Sequence, residues 1–230
     1  MVNAYSTVTD AVLHRMSVRS FKMAPVARKV IVEILEIARR APSGGNLQPW
    51  QVDVLAGEEL EKFKQMINER TAAGIKETPQ YDVYPANLWD PYRGYRYRVG
   101  EDMYALIGIA REDKAGRLAQ FEANFRFFGA PVALFFSLDR RFGAPQWADV
   151  GMFMQTVMLL AVERGLGTCA QEFWSFWPDS VAEYLSLSED RVLFSGMALG
   201  YPDNDAPINQ LRTARASVES FATLHGFEGA

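Results

Sequence analysis

The chain has 230 residues, of which 49% are hydrophobic and 23% are charged, a composition typical of globular proteins rather than disordered or collagen-like ones. Its 24 basic and 28 acidic residues give a net charge of −4, which disfavours nucleic acid and anionic membranes as partners. The single cysteine, Cys169, excludes an internal disulfide, and two histidines, His14 and His225, make no ordinary zinc cluster. The apolar runs are too short to span a bilayer, so we expect a soluble protein. Together with the length and the cysteine and histidine counts, this predicts one cytoplasmic domain over residues 1–230 without a bound metal.

Apolar residues recur at helical spacing in five segments. Behind the capping pair Ser6-Thr7 the spacing predicts a helix to about residue 16, and Pro25 opens a second helix that ends at Ala41-Pro42. Further helices are predicted at about 58–73, 147–163 and 178–187. The segment 147–163 is apolar nearly all round, which indicates a central helix or a subunit interface.

Strands are predicted between these helices, at about 52–54, 130–136, 168–173 and 192–199. Residues 79–100 contain Pro85, Pro91 and Gly94 and show no clean periodicity, so we interpret them as a long ordered excursion. Because helices and strands alternate without a repeat, the pattern favours an α+β fold in layers.

Several common functional motifs are missing or stand in the wrong context. The run from Gly165 to Ala170 fits the dinucleotide pattern G-x-G-x-x-A, but a helix precedes it and an extended segment follows it, so a turn at a helix end is the better interpretation. The chain has no phosphate loop, no H-E-x-x-H, no C-x-x-C and no G-x-S-x-G. Hydrolases and metal enzymes are therefore disfavoured.

A basic, alternating segment follows the first predicted helix. Arg15, Ser17 and Arg19 would lie on one side of an extended chain, and two guanidinium groups with a hydroxyl suit a phosphate dianion. The first 50 residues are basic although the whole chain is acidic, which is compatible with a local anion site. A solvated basic turn is the alternative that spacing alone favours.

A second distinctive segment, residues 42–50, follows the helix that begins at Pro25. Its glycines let backbone approach a flat ligand, its amide side chains at Asn46 and Gln48 offer donors and acceptors, and its prolines fix the path of the chain. A plain connection from helix to strand is the alternative. Neither segment alone decides the function.

Together the two segments resemble the nitroreductase family of FMN-dependent oxidoreductases, with nitroaromatic and nitrobenzoate reductases as its most similar members. The family pattern R-R-S-x-R-x-F is present over residues 15–21, with Met16 in place of the second arginine. The pattern A-R-x-A-P-S-x-x-N-x-Q-P-W matches residues 38–50 throughout. The resemblance covers most of the chain outside 79–120, including 129–132, 163–169 and 199–202.

The resemblance implies a fold and an assembly. The expected fold is a homodimeric, three-layer α+β sandwich with a central, mostly antiparallel sheet and a long interface helix at 147–163. Two FMN sites would each be built from both subunits. The excursion at about 79–120 would act as a lid over the substrate.

The resemblance also implies roles for single residues. Arg15 and Ser17 would bind the FMN phosphate, and Arg19 would lie near the pyrimidine end of the isoalloxazine ring. Arg215 would close over the phosphate, with Arg212 as a second candidate. The opposite subunit would contact the ring and the ribityl chain through Pro42, Ser43, Gly44, Asn46 and Gln48.

Four further residues are implied near the ring. Gln171 and Glu172 stand where family members place main-chain amides beside flavin N5. Asn124 and Arg126 are candidates for the polar edge of the ring. Cys169 and His14 are expected to be structural.

The implied reaction passes a hydride from NADH or NADPH to flavin N5 and then to an electron-poor aromatic acceptor, most simply a nitro compound that becomes a hydroxylamine. The flavin carries this chemistry, so no catalytic side chain is predicted. Quinone or enone reduction and reductive dehalogenation on the same scaffold are alternatives, as is a flavin carrier without turnover. An aromatic- and arginine-rich module that binds nucleic acid is disfavoured by the acidic net charge.

Aromatic residues are concentrated in the excursion. They are interleaved with Arg93, Arg96 and Arg98, a mixture that suits a lid over a planar ring. Covering the core and the dimer surface is the equally weighted alternative for these rings and for the second aromatic cluster at 173–177. An arginine in the lid suggests an anionic acceptor such as a nitrobenzoate or a nitrophenolate. The aromatic residues of the excursion are Tyr81, Tyr84, Trp89, Tyr92, Tyr95 and Tyr97.

Overall fold

The computed structural model describes residues 7–227, and the statements below concern that part of the chain. Its α-helices are α1 Val8–His14, α2 Arg28–Ala38, α3 Gly57–Ala72, α4 Tyr92–Leu106, α5 Lys114–Glu122, α6 Ala144–Glu163 and α7 Pro178–Leu185. Its strands are β1 Gln51–Ala56, β2 Val132–Asp139, β3 Gly167–Gln171 and β4 Arg191–Gly200.

The four strands form one sheet in the order β1-β2-β4-β3, and every neighbouring pair is antiparallel. Alternate residues of β2 point to opposite faces, so Phe135 packs in one apolar cluster and Leu134 in the other. Helices α2 and α6 cover the face of Leu134, with Ile34 and Val157 fully buried. Helices α3 and α7 cover the other face. The expected α+β sandwich in three layers is confirmed.

Helix α6 ends in a tight turn that leads directly into β3. The amide of Leu166 donates to the carbonyl of Ala161 and the amide of Gly165 to that of Val162, both at 2.9 Å. Gly165 has a φ of +71°, the left-handed conformation that this helix ending requires and that glycine adopts without strain. The interpretation of the G-x-G-x-x-A pattern as a helix ending is confirmed.

The excursion contains helices α4 and α5, which the sequence pattern did not indicate. Neither helix buries a side chain, so neither needs the apolar stripe from which a helix is recognised. The chain before α4 is anchored to the core: the Gln80 side chain accepts from the Leu193 amide at 3.1 Å, and the Tyr81 hydroxyl donates to the Phe194 carbonyl. The excursion is therefore ordered, as expected, but more helical than expected.

Several predicted element ends are corrected by the structure. Helix α1 ends at His14 rather than at about residue 16, and β2 covers Val132–Asp139 rather than 130–136. Strand β3 ends at Gln171 rather than at residue 173, because residues 172–176 turn into a 3-10 helix. Helix α7 ends at Leu185 rather than at residue 187, because Ser186 takes a left-handed conformation. Within residues 7–227, no helix combines the length and the apolar character needed to cross a bilayer, and no three metal-ligating side chains form a cluster.

Candidate functional site

The segment after α1 lies along the edge strand β3. Ser17 forms a parallel bridge with Thr168, and the Val18 amide donates to the Thr168 carbonyl at 2.9 Å. Val18 is buried against Gly167, where a Cβ would come within 2.5 Å of the valine side chain. This close approach requires a glycine. Ser17 and Arg19, on either side of the buried Val18, are partly buried, as are Met16 and Ser20.

The C-terminal part of the chain is tied to the same segment by one buried amide side chain. Asn209 Oδ1 accepts from the Arg19 amide at 2.8 Å, while Nδ2 donates to the carbonyls of Ser20 and Asp203, each at 2.8 Å. Asn209 is only 2% exposed. The sequence analysis missed this residue, because its partners lie far away in the chain and no local pattern marks it.

Arg15, Arg19, Arg212 and Arg215 form what we call the arginine cluster. Arg212 Nη1 donates to the Asn209 carbonyl at 3.0 Å and lies 2.9 Å from the sulfur of Met16. Partial burial and, next in size, the positive charge of Arg215 lower the pKa of Arg15. The predicted phosphate residues from the two ends of the chain therefore lie in one place.

The arginine cluster lacks an opposite charge. Within residues 7–227, none of its four guanidinium groups has a carboxylate within ion-pair distance. A partly buried arginine that is repelled by another arginine is stabilised when an anion binds between them. The geometry thus indicates an anion site rather than a solvated basic turn.

Strand β3 carries unsatisfied polar groups next to the cluster. Thr168 Oγ1 and Gln171 Oε1 are buried and have no hydrogen-bond partner in the described chain. Buried polar atoms normally find a partner, so these two indicate a ligand or water at this edge of the sheet. Between them lies Cys169, whose pKa burial raises, although Arg19, Ser17 and Arg15 act in the opposite direction. The thiol therefore stays protonated, as expected of a structural cysteine.

These residues fit the phosphate end of FMN. Two or three guanidinium groups and the Ser17 hydroxyl are donors of the kind that bind a phosphate dianion strongly. The cluster has no carboxylate partner that a phosphate would have to displace. Arg15, Ser17 and Arg215 would hold the phosphate, and Arg19 would lie further along the same extended segment.

The loop over residues 42–48 is a separate group. The Gly44 amide donates to both carboxylate oxygens of Asp149, at 3.3 and 3.4 Å, and the Gln48 amide donates to Ser43 Oγ at 3.0 Å. Asn46 and Gln48 have φ values of 56° and 50°, a left-handed conformation that strains residues other than glycine and is often found at functional sites. Four of the five predicted loop residues are exposed: Pro42, Gly44, Asn46 and Gln48.

Asp149 is a second residue whose role the sequence analysis missed. It lies on α6, is 4% exposed and anchors the loop through Gly44. The one indication was an acidic residue within an otherwise apolar helix. No hydrogen bond or ion pair between described residues joins this loop directly to the arginine cluster.

The third predicted group lies at the end of β3. The Gln171 side chain is buried and donates to Asn124 at its carbonyl, 3.0 Å, and at its Oδ1, 3.1 Å. Asn124 is therefore occupied within the protein, whereas Arg126 is exposed. Glu172 is exposed as a residue, but partial burial of its carboxyl raises the pKa, and a 3.5 Å contact with the Tyr84 hydroxyl lowers it.

A cavity of about 1180 Å³ opens between the excursion and the C-terminal segment. Arg215 lines it, so the cavity borders the arginine cluster. Of the three arginines singled out in the excursion, Arg96 and Arg98 line the cavity, whereas Arg93 is ion-paired with Asp90 outside it. The remaining wall is formed by Tyr84, Leu88, Trp89, Tyr92, Tyr95, Val99, Asp102, Thr213, Ala214, Ala216, Val218 and Phe221.

The chain is similar to known proteins along most of its length. The family model described as the nitroreductase family matches residues 12–201. The chain is 38% identical over 224 residues to the 4-nitrobenzoate reductase of Pseudomonas putida, covering 95% of this chain and 96% of that one. It is 35% identical over 222 residues to the nitrobenzene nitroreductase of Ectopseudomonas oleovorans, covering 94% and 96%.

Among solved structures, the chain is similar to the FMN and NADPH-dependent nitroreductase NfnB of Sphingopyxis sp. strain HMH. The identity is 46%, the TM-score is 0.93, and the match covers 96% of this chain and 100% of that one. The match therefore includes the excursion as well as the two sequence motifs. The resemblance inferred from those motifs is confirmed, and the chain belongs to the nitroreductase family.

Proposed function

We propose that the protein is an FMN-dependent oxidoreductase that uses NADPH or NADH to reduce a nitroaromatic compound, carrying the nitro group to the hydroxylamine. The observation that carries this proposal is the arginine cluster, which has no carboxylate partner within residues 7–227 and includes Arg15 and Arg19 of the family's motif. The names of the relatives, two nitroaromatic reductases and an FMN and NADPH-dependent nitroreductase, support it. The predicted enzyme class, cofactor and acceptor class are thus confirmed at the level of the family's named members.

The protein's own residues would bind and orient the cofactor. Arg15, Ser17 and Arg215 would hold the phosphate, and Arg19 would stabilise negative charge at the pyrimidine end of the ring. The main-chain amides at Gln171 and Glu172 would lie beside its reactive edge. When bound, FMN supplies two-electron transfer between the nicotinamide and the acceptor, chemistry for which the chain needs no catalytic side chain.

The proposal includes a dimer, because the resemblance implies that the loop over residues 42–48 contacts the cofactor bound mainly by the opposite subunit. Pro42, Ser43, Gly44, Asn46 and Gln48 of one subunit would complete the site of the other. The whole chain then acts as one domain, with the excursion at about 79–120 as the lid. A cytoplasmic location is part of the same proposal, since NADPH and NADH are supplied there.

The visible spectrum of the purified protein under anaerobic conditions tests the proposal. We expect bound FMN to give a yellow protein, NADPH or NADH to bleach it, and nitrobenzene to restore the colour with stoichiometric consumption of nicotinamide. Colour that neither nicotinamide bleaches would indicate a flavin carrier instead. If only a quinone, an enone or a halogenated aromatic restores the colour after bleaching, the protein is one of the other reductases. A colourless protein would contradict the proposal.

A further inference from the structure

We propose that Arg96 binds the anionic substituent of the acceptor, so that the protein prefers nitroaromatic acids, such as nitrobenzoates, to neutral nitroaromatics. This inference rests on the proposed function and adds to it a substrate class and a specificity-determining residue. It starts from a difference between the arginines of the excursion. Arg93 is paired with Asp90, while Arg96 lines the cavity and has no carboxylate within ion-pair distance in residues 7–227.

The position of Arg96 is fixed by an aromatic ring. Its guanidinium carbon lies 4.4 Å from the centre of the Tyr84 ring, a cation–π distance. Stacking on the ring and an interaction with the Tyr84 hydroxyl restrict the orientation of the planar group, while its other N–H donors remain available to a carboxylate. Arg96 is thus oriented in advance for an anionic partner that the chain itself does not provide.

Tyr84 also connects Arg96 to the expected reaction site. Arg96 lies over the ring, and the Tyr84 hydroxyl, at the far end of the same side chain, contacts Glu172 at 3.5 Å. Glu172 is the residue whose main chain is proposed to face the flavin. Arg96 and Glu172 therefore contact the same phenol side chain, Arg96 at its ring face and the Glu172 carboxyl at its hydroxyl.

The charge and polarity of the cavity favour such a molecule. Its wall carries three arginines, Arg96, Arg98 and Arg215, against one carboxylate, Asp102. Arg215 is assigned to the FMN phosphate, which leaves Arg96 and Arg98 for other anions. The apolar part of the wall includes five aromatic residues, and aromatic rings stack well with a planar acceptor. An anionic group at Arg96 and an apolar ring beside it match this wall.

The test compares an acidic and a neutral acceptor with the Arg96→Gln holoenzyme. We expect kcat/KM for 4-nitrobenzoate to fall about 10-fold or more, mainly through KM, because a charge-assisted hydrogen bond is lost. The value for nitrobenzene should stay within about 2-fold. Binding of benzoate, which carries the acid but no nitro group, should weaken by the same factor when followed through the visible absorption of the bound flavin. Arg96→Lys should restore part of the loss.

Two matched variants locate the effect. Arg93→Gln changes the same residue type on the same helix outside the cavity, and should leave both acceptors and benzoate unchanged. If Arg98→Gln rather than Arg96→Gln lowers the use of nitrobenzoate, the assignment to Arg96 is wrong. Equal losses for nitrobenzoate and nitrobenzene in Arg96→Gln would likewise overturn it, because they would indicate a structural role.

The 2′-phosphate of NADPH is another anion that Arg96 could bind. The Arg96→Gln variant distinguishes binding of this phosphate from binding of the acceptor's acid group. A raised KM for NADPH with an unchanged KM for NADH, and an unchanged ratio of nitrobenzoate to nitrobenzene turnover, would assign Arg96 to the 2′-phosphate and overturn the proposal. Benzoate binding also distinguishes this inference from the proposed function. A wild-type protein that binds benzoate through Arg96 but reduces neither nitro compound would contradict the function and leave the anion site standing.

Discussion

The arginine cluster and the excursion border one cavity, yet the chain holds them in different ways. The segment with Arg15 and Arg19 is hydrogen-bonded to β3 and to the buried Asn209. The excursion is pinned near its start by Gln80 and Tyr81, and its helices bury no side chain. Residues in the first region are fixed by the geometry of the core, whereas those in the second are restricted mainly by what they contact in the cavity.

The difference separates two tasks of a two-substrate enzyme. A cofactor that stays bound through every cycle gains from donors held rigidly by the sheet. An acceptor that enters and leaves is met by exposed side chains on surface helices, which can change without disturbing the core. Mutations should therefore divide into two classes, those that change FMN binding and those that change the use of acceptors.

The largest effect is expected from Arg15→Ala. Loss of a charge-assisted contact to the phosphate should weaken FMN binding by about 10- to 100-fold. The stability of the apoprotein should change little, because the variant also removes the repulsion between Arg15 and Arg215. Titration of apoprotein with FMN, followed by fluorescence quenching, measures the first quantity, and thermal unfolding measures the second.

Arg39→Ala is the matched control for this prediction. Arg39 belongs to the other sequence motif, but it is exposed and ion-paired with Glu36 on α2. FMN binding should be unchanged. If Arg15→Ala binds FMN as tightly as the wild type, the assignment of the arginine cluster to the cofactor site is wrong.

Asn209→Leu should give the largest effect on stability, whereas its effect on FMN binding should come second to that of Arg15→Ala. The substitution keeps the approximate volume, loses three hydrogen bonds of 2.8 Å and leaves the Arg19 amide without its partner. We expect the free energy of unfolding to fall by about 2–4 kcal/mol, together with a loss of FMN affinity. Asn204→Leu, at an exposed position nearby, should have little effect on either quantity. Equal unfolding curves for the two variants would contradict the role given to Asn209.

Much of the fold was predictable because burial leaves a periodic pattern. Helix α2 and strand β2 contain the alternation or spacing that their apolar neighbours require, and both were predicted. Helix α4 was not predicted, since a helix that buries no side chain needs no such pattern. For the same reason, the sequence identified the aromatic and arginine residues of the lid but did not predict which of them line the cavity.

The candidate site was predictable to the extent that its residues are neighbours in sequence. Arg15, Ser17 and Arg19 share one short segment, and their alternation is visible directly. Asn209 lies 190 residues from the Arg19 amide that it accepts from, and the contact between Tyr84 and Glu172 joins residues 88 apart. Single polar residues with distant partners leave no local pattern, so only the folded chain reveals these contacts.

The smallest effect at neutral pH is expected from Tyr81→Phe, which tests the anchor of the excursion. Losing the hydrogen bond to Phe194 should lower stability by about 1 kcal/mol and raise the KM of acceptors, with unchanged FMN affinity. A loss of FMN affinity equal to that of Arg15→Ala would contradict the separation of the two regions.

Tyr81→Phe should also change how stability depends on alkaline pH. Burial raises the pKa of Tyr81 to about 12, against about 10 in an unfolded chain. Between these values the unfolded tyrosine ionises first, so this residue's contribution to stability is complete below pH 10 and is lost as the pH rises toward 12. Urea unfolding from pH 8 to 11.5 should therefore show a shallower decline for Tyr81→Phe than for Tyr95→Phe, which alters an exposed ring on α4.

The reactivity of the buried Cys169 thiol can be used to measure local opening of the structure. It is the only thiol of the chain and lies on the edge strand beneath Arg15 and Arg19. A thiol reagent can reach it only when that edge separates from the segment covering it, so the labelling rate measures how often the floor of the cofactor site opens. Saturation with FMN should slow labelling, and the size of the slowing would measure how strongly the cofactor holds the two ends of the chain together.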